Sequence, residues 1–452
     1  MAGKSAGSMA AFVSQRWAKF AAGLPRRLYG LLWWLALPLV LARLWWRGRR
    51  EPGYRQHVGE RFGRTAATSM LPAMPTLWVH AVSVGETRAA EPLIDALLAG
   101  WPHHRILLTH MTPTGRATGA TLFARHGTRL VQAYLPYDTG SMMARFLAAY
   151  RPQACLLIET EVWPNLVAQA HARRIPVALV SARLSARSLA RGLQLRGLIG
   201  AAARGLACAG AQTAVDAARL QQLGVTPVEV TGSLKFDVIP PADQLAQGAR
   251  WRRQFGRRQV LLCASTREGE EAAILAALQT IPLDVLLMIV PRHPQRFEAV
   301  AALIAGHGLA CMRRSALGDA ALASDIQVLL GDSMGELFAY YAAADVAFIG
   351  GSLMPLGGQN LIEACAVGTP ALIGPHTFNF SGVTQDAIDA GAALRVDDAT
   401  ALLASAQALL GDAAVLGAMG GAARAFAMQH RGATARTLQL LEPLLAPLRD
   451  LR

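Results

Sequence analysis

The stretch Thr76–Glu86, TLWVHAVSVGE, decides the fold: a short apolar run gives way to a glycine turn and then to a helix starting near Glu86 or Thr87. An Ala/Leu-rich helix runs on to Ala99, followed by the strand-like RILLTH, a helix near Arg116–His126 and the run RLVQAYLP. The alternation continues through QACLLIET, a helix after Pro164, IPVALVSA, a further helical region, LACAGAQ and VEVTGS. Repeated strand and helix units of this kind specify a parallel sheet wrapped by helices.

At Pro240 and Pro241 the alternation pauses, and a second series follows: QVLLCAST, DVLLMIVP, DIQVLLGD, DVAFIGG and PALIGP. A chain of 452 residues exceeds one ordinary core, since domains hold about 100–200 residues each. The expected organisation is an N-terminal basic segment and anchor over 1–50, one Rossmann-like domain over 51–240 and a second over 241–452. The second is expected to carry the terminal helix, which around Ala423–Leu448 is placed to pack back across domains. The fold class is therefore α/β, with two Rossmann-like domains expected to face a cleft at the carboxyl ends of their strands.

Within the first fifty residues, Leu28–Ala42 (LYGLLWWLALPLVLA) carries no charge and is bordered by Trp45 and Trp46, with Trp33 and Trp34 inside it. This reads as a membrane anchor or interfacial helix, although the uncharged run is shorter than the ~20 residues of a straight span. Arg16, Lys19, Arg26 and Arg27 precede it and Arg43, Arg47, Arg49 and Arg50 follow, so positive-inside counting is nearly balanced and assigns no orientation.

Lys and Arg number 44 against 30 Asp and Glu, a net charge of +14 that favours an anionic partner. There is no zinc-finger spacing, no aromatic and basic ribonucleoprotein motif and no long Lys/Arg run, which sets nucleic acid aside in favour of membrane and acidic substrate. The five cysteines, Cys155, Cys208, Cys263, Cys311 and Cys365, are widely separated and lie in apolar or small-residue surroundings. They read as reduced and structural, in keeping with a cytosol-facing body.

Several strand ends carry candidate chemistry. Glu86 stands at the first turn, either as a base for an acceptor hydroxyl or as a helix-dipole partner whose pKa would be lowered. In ETEVWPN, Glu159 and Glu161 share a face by alternation, so they share a basic partner or one is solvated. Lys235 in TGSLKFD is suited to a phosphate or carboxylate, or to an ordinary salt bridge with Asp237 or another acid.

In the second series, ASTREGEE offers Ser265 and Thr266 followed by acids in a first helical turn. VPRHPQRF presents Arg292 and His293 between Pro291 and Pro294. GDSMGEL and GGSLMPLGGQNLIEA place glycines before a helix, where backbone amides approach a phosphate; Asn360 and Glu363 either bind there or form a capping box. No His, Cys and acid grouping has metal spacing, so the expected site is free of metal and cofactor.

Taken in order, HAVSVGE, MTPTGR, LPYD, ETEVWPN, SARLSARS, TGSLKFD, ASTREGEE, PRHPQRF, GDSMGEL, GGQNLIEA and GPHTFNF resemble the 3-deoxy-D-manno-octulosonic acid (Kdo) transferase family, over about Leu77–Phe380. The resemblance implies a GT-B type glycosyltransferase of the bacterial inner membrane, with its catalytic domains facing the cytoplasm. It implies transfer of Kdo from CMP-Kdo to the tetra-acylated lipid A precursor in lipopolysaccharide biosynthesis, with inversion and without metal. On that resemblance Glu86 is the proton acceptor, and Glu159 and Lys235 stabilise the transition state. Pro291, Arg292, Met334, Gly335, Glu336, Asn360, Leu361, Ile362 and Glu363 hold CMP in the second domain, while the first takes the acceptor.

Two positions depart from the family pattern: Gln359 stands for a histidine in GGHN, and Arg267 for one in ASTHEGEE. Gln359 keeps a hydrogen-bonding amide but does not titrate, which predicts retained donor binding with altered pH dependence. The competing readings are a nucleotide-sugar epimerase of the same fold, which needs no anchor, and a non-catalytic sugar-nucleotide binder.

Overall fold

The computed structural model describes residues 4–64, 74–280 and 285–449. The chain forms two compact units, Met1–Val238 with Gly432–Arg452, and Ile239–Arg431.

The first unit is built on seven strands: β1 Thr76–His80, β2 Arg105–His110, β3 Leu130–Tyr134, β4 Ala154–Ile158, β5 Val177–Ala182, β6 Cys208–Ala211 and β7 Val228–Val230. They lie parallel in the order β3-β2-β1-β4-β5-β6-β7. Every residue of β1, β4 and β5 is buried, which is why these strands read as unbroken apolar runs: helices cover both faces. Alternate side chains feed two cores, with Trp78, Leu107, Leu157 and Leu179 on one face and Leu77, Val79, Ile106 and Leu156 on the other. The chain reverses direction of growth between β1 and β4, so the loops leaving these neighbours open a crevice at their carboxyl ends.

The second unit repeats the plan. Its strands are β8 Val260–Thr266, β9 Leu286–Pro291, β10 Cys311–Arg313, β11 Val328–Leu330, β12 Val346–Ile349, β13 Ala371–Ile373 and β14 Ala393–Arg395. Their order, β10-β11-β9-β8-β12-β13-β14, puts the reversal between β8 and β12. The twelve strands expected from apolar runs are all present. The two that the alternation did not reveal, β10 and β14, are three-residue strands at the two edges of this sheet.

Two expectations need revision. The terminal segment was assigned to the second domain, yet Gly432–Arg452 belongs to the first unit. The helix Ala433–Leu445 buries Ala433, Leu440, Leu441 and Leu445 in the core that holds Leu77 and Val79. Asp237 fixes its start, the carboxylate accepting from the N–H groups of Gly432 at 2.7 Å, Ala433 at 3.3 Å and Thr434.

The N-terminal apolar segment is also longer than its uncharged run suggested. A helix extends over Lys4–Arg50, and its portion Leu24–Arg49 is long and apolar enough to cross a membrane, at ~1.5 Å rise per residue. Only 6% of its most apolar window is buried. One stripe docks on the first unit: Leu37 packs with Tyr137 and Met142, and Trp33 stacks on Tyr137 at 5.7 Å. The opposite side leaves Leu28, Leu31, Leu32, Leu35 and Leu39 exposed. Together these mark membrane association through this helix.

Candidate active site

Glu86 owes its position to a helix that begins earlier than expected. The helix spans Val84–Ala89 with Ser83 as its cap, so Glu86 lies within the first turn. Ser83 Oγ accepts from the Glu86 N–H at 3.4 Å and donates to Glu86 Oε1 at 3.0 Å, while Val82 N–H donates to Oε2 at 2.7 Å. This is a capping box, and it sets the carboxylate at the helix N-terminus, where the plainer reading of the sequence has it as a helix-dipole partner. Its electrostatic outcome is the reverse of that reading. Burial raises the Glu86 pKa to about 7, assisted by the charges of Glu159 and Glu161, and the two donors offset this only in part.

Glu159 follows β4, across the crevice from the turn that carries Glu86. Its φ of +63° is unusual for a residue with a side chain, and it ends the strand alternation that would have stacked the two glutamates on one face. Glu159 Oε1 pairs with Lys235 Nζ at 2.6 Å, both side chains being mostly buried. Glu161 instead accepts from Trp163 Nε1 at 2.7 Å, and burial raises its pKa. Lys235 therefore meets Glu159, while Asp237, two residues on, serves the terminal helix.

Two of the quoted motifs meet behind this loop. Asp138, from LPYD, accepts the N–H groups of Asn165 at 2.9 Å and Leu166 at 2.8 Å, holding the first turn of the helix Pro164–His171. Tyr29 of the apolar helix hydrogen-bonds the same carboxylate. The segment carrying Glu159 and Glu161 is thus tied to the apolar helix, a link that no spacing in the sequence discloses.

In the second unit the carboxylates turn inward. Glu270 is fully buried and accepts the N–H groups of Arg267, Gly351, Ser352 and Leu353 at 2.7–3.0 Å, joining the loop after β8 to the loop after β12. Glu271, equally buried, accepts from Thr266 Oγ1 at 2.8 Å and Arg296 Nη2 at 3.0 Å. The sequence showed these acids only as a helical first turn, and only the fold gives them their partners.

The cations are half-buried. Arg267, Arg292 and Arg296 all act on exposed His293, whose pKa is lowered by partial burial and then by these three charges. The β8 and β12 ends approach so closely that a side chain on Gly350 would stand 2.5 Å from the Ser265 carbonyl oxygen. Gln359 and Arg267, the two departures from the family pattern, both lie within 3.5 Å of where a side chain on Gly351 would begin.

The remaining expected residues are distributed along these loops. Pro291 is buried at the end of β9, and Arg292 donates its N–H to the Thr266 carbonyl at 3.0 Å. Met334 and Gly335 are exposed at a loop tip, whereas the Glu336 carboxylate accepts from Gln247, Arg314 and Ser333 and so holds that loop. Asn360 Oδ1 accepts the Ile362 N–H at 3.1 Å and its amide donates to Glu363 Oε1 at 3.3 Å. That pair is a local cap for a helix of only six residues, Ile362–Val367, with Leu361 and Ile362 buried at its start. Among the described residues no group of three or more His, Cys, Asp or Glu side chains is placed to hold a metal ion.

Each unit is thus a doubly wound α/β domain with a polar crevice at its switch point, acids gathered in the first and cations in the second. Residues 56–238 match the family model described as 3-deoxy-D-manno-octulosonic-acid transferase (kdotransferase). The chain is 50% identical to the 3-deoxy-D-manno-octulosonic acid transferase of Bordetella pertussis, across 90% of this chain and 96% of that protein. It is 35% identical to the transferase of the same name from Haemophilus influenzae, across 93% and 99%. Among solved structures, the UDP-GlcNAc 2-epimerase from Neisseria meningitidis bound to UDP-GlcNAc is similar in fold, with a TM-score of 0.55, 15% identity and coverage of 82% of this chain and all of that one. The chain belongs to the 3-deoxy-D-manno-octulosonic acid transferase family and is a glycosyltransferase of lipopolysaccharide biosynthesis. The epimerase alternative is set aside: it shares the fold, while sequence identity over nearly the whole chain lies with the transferases.

Proposed function

We propose that the protein transfers Kdo from CMP-Kdo to the tetra-acylated lipid A precursor, using Glu86 as the base that takes the proton from the acceptor hydroxyl. The observation that carries this reading is the place of Glu86 at the crevice of the first unit, where Val82 and Ser83 each donate to one of its oxygens and burial raises its pKa to about 7. A general base works best when its pKa lies near the operating pH, and an ordinary carboxylate would be too weak. Each Glu86 oxygen accepts one protein donor, which leaves lone pairs for a substrate hydroxyl.

In this mechanism the hydroxyl oxygen attacks the anomeric carbon of Kdo while its proton passes to Glu86. The bond from that carbon to the phosphate oxygen of CMP breaks, giving inversion, and the leaving phosphate carries the negative charge away. Lys235, held by Glu159, supplies a fixed positive charge for the transition state. In the second unit Arg292, with Arg267 and Arg296 near it, suits the nucleotide phosphate, and the loops from Met334 to Glu336 and from Asn360 to Glu363 suit the rest of CMP. The exposed apolar helix would hold the enzyme at the bacterial inner membrane, its two units in the cytoplasm with the nucleotide donor.

The test is transfer from CMP-Kdo to purified lipid A precursor without added metal, comparing the wild-type protein with Glu86→Gln. Product from the wild type and a kcat lower by about 10²–10⁴-fold in a folded variant that still binds CMP-Kdo is the expected result. An active variant would remove Glu86 as the base, and an inactive wild type would remove the assignment of donor and acceptor.

A further inference from the structure

One cavity in the first unit lies beside Glu159, and its interior has no part in the mechanism above. Its volume is about 300 Å³, and it is walled mainly by Leu179, Leu184, Leu195, Ile199, Leu220 and Leu223, with Glu159 at its edge. An aliphatic wall excludes a sugar or a phosphate from the interior and favours an aliphatic occupant.

Three further features specify that occupant. One side of the cavity is closed by the helix Ala186–Gln194 and the following π-helical turn Arg196–Gly200, a conformation frequent at functional sites. That turn packs against the start of the apolar helix: a side chain on Gly197 would stand 3.1 Å from Pro25 Cγ. Leu195, in the wall, is 54% exposed, so the cavity's own lining reaches the surface near the membrane segment. Finally, the sequence between Glu161 and Asp216 holds seven arginines and no acid, and of these Arg183 and Arg191 line the cavity while Arg187 and Arg196 are exposed beside it. An aliphatic interior with a cationic border, continuous with a membrane helix, matches an anionic lipid.

We propose that this cavity receives one acyl chain of the lipid acceptor, its sugar-linked end near Glu159 and its methyl end toward Leu195, so that the chain aligns the acceptor sugar with the carboxylates. This rests on the acceptor proposed above and names the group that positions it.

The experiment measures kcat/KM for two acceptors, the acylated precursor and the same disaccharide stripped of its acyl chains, with wild-type protein, Ile199→Trp and Leu195→Asp. Ile199→Trp fills the cavity; Leu195→Asp charges its exposed wall, where folding tolerates the change. Each methylene kept from burial weakens binding about fourfold, so the preference for the acylated over the stripped acceptor is expected to fall tenfold or more in each folded variant. An unchanged preference in the folded variants overturns the acyl-chain site while leaving the transferase reading intact. Absence of transfer by the wild type to either acceptor overturns that reading and this inference with it.

Discussion

The two crevices share a strand topology and oppose one another in charge. At the first, Glu86 lies within the fields of Glu159 and Glu161, Glu159 pairs with Lys235, and none of the three acids is fully buried. At the second, Glu270 and Glu271 are completely buried and bound to loop amides, a hydroxyl and Arg296, which leaves Arg267, Arg292 and His293 as the outward chemistry. Whether an acid performs chemistry or builds a loop is decided by how many donors saturate it and how much solvent reaches it. A half-covered carboxylate with spare lone pairs is a base, whereas one that accepts four amides is a structural part.

The sharpest way to break this comparison is Glu270→Ala. It would orphan the N–H groups of Arg267, Gly351, Ser352 and Leu353, at about 1–3 kcal/mol for each buried donor left unpaired. The expected loss of stability is therefore at least about 4 kcal/mol, read as a large drop in the denaturant midpoint. Glu161→Ala, which frees only the Trp163 ring N–H, should cost about 1 kcal/mol. Equal losses in the two variants would mean that the acids of the two crevices do not differ as described.

Arg292→Ala comes next. Loss of a charged hydrogen bond to the donor phosphate is worth about 1.5–3 kcal/mol, so KM for CMP-Kdo should rise roughly 10- to 100-fold while KM for the acceptor holds. A rise in the acceptor's KM instead would place this cation in the wrong role. A smaller effect is expected from Lys235→Met on the pH profile. With Glu86 at about 7, kcat/KM of the wild type should climb with pH through about 7 as the base ionises. Without Lys235 the Glu159 charge is no longer neutralised and opposes that ionisation more strongly. The acid limb should then move upward by about half a unit. A limb that stays in place would show that Lys235 acts on the transition state alone.

Much of this was legible in the sequence because the strands are buried on both faces. TLWVH, ACLLI and VALVSA are apolar but for Thr76, His80 and Ser181, and helix-length segments separate them, so strand count and parallel pairing follow from pattern. The strands CMR and ALR escaped because each is three residues at a sheet edge and, unlike the equally short edge strand VEV, holds no β-branched residue to mark it. The terminal helix was legible in part: its packing back across domains could be read from the sequence, while Asp237, which fixes its start from 195 residues before Gly432, is visible only once the chain has folded. At the site, Glu86, Glu159 and Lys235 were marked by their positions at strand ends and by family motifs. The Glu159–Lys235 pair was not, because it depends on the positive φ of Glu159, and sequence periodicity assumes a regular strand. Asp138 and Tyr29 lay outside any reading by spacing, since their contact joins an apolar helix to a loop over 100 residues away.

The smallest predicted effect tests whether burial or capping governs Glu86. Its pKa in the folded protein, about 7, lies above the ordinary 4.5, so the folded state binds this proton more tightly than the unfolded chain does. Folding is therefore opposed progressively as pH rises from about 4.5 to about 7, and the full penalty applies above that window. Glu86→Gln keeps an acceptor for the cap and cannot ionise. Its Tm relative to the wild type should be near zero or slightly negative at pH 4.5 and should become positive by pH 8. Partial exposure of the side chain limits the swing to about 1 kcal/mol, a few degrees at most. A swing of the opposite sign would mean that the Val82 and Ser83 donors hold Glu86 as a stable anion. The crevice of the first unit would then use its acid as the second unit does, to fasten a loop, and the proton acceptor would have to be sought in Glu161.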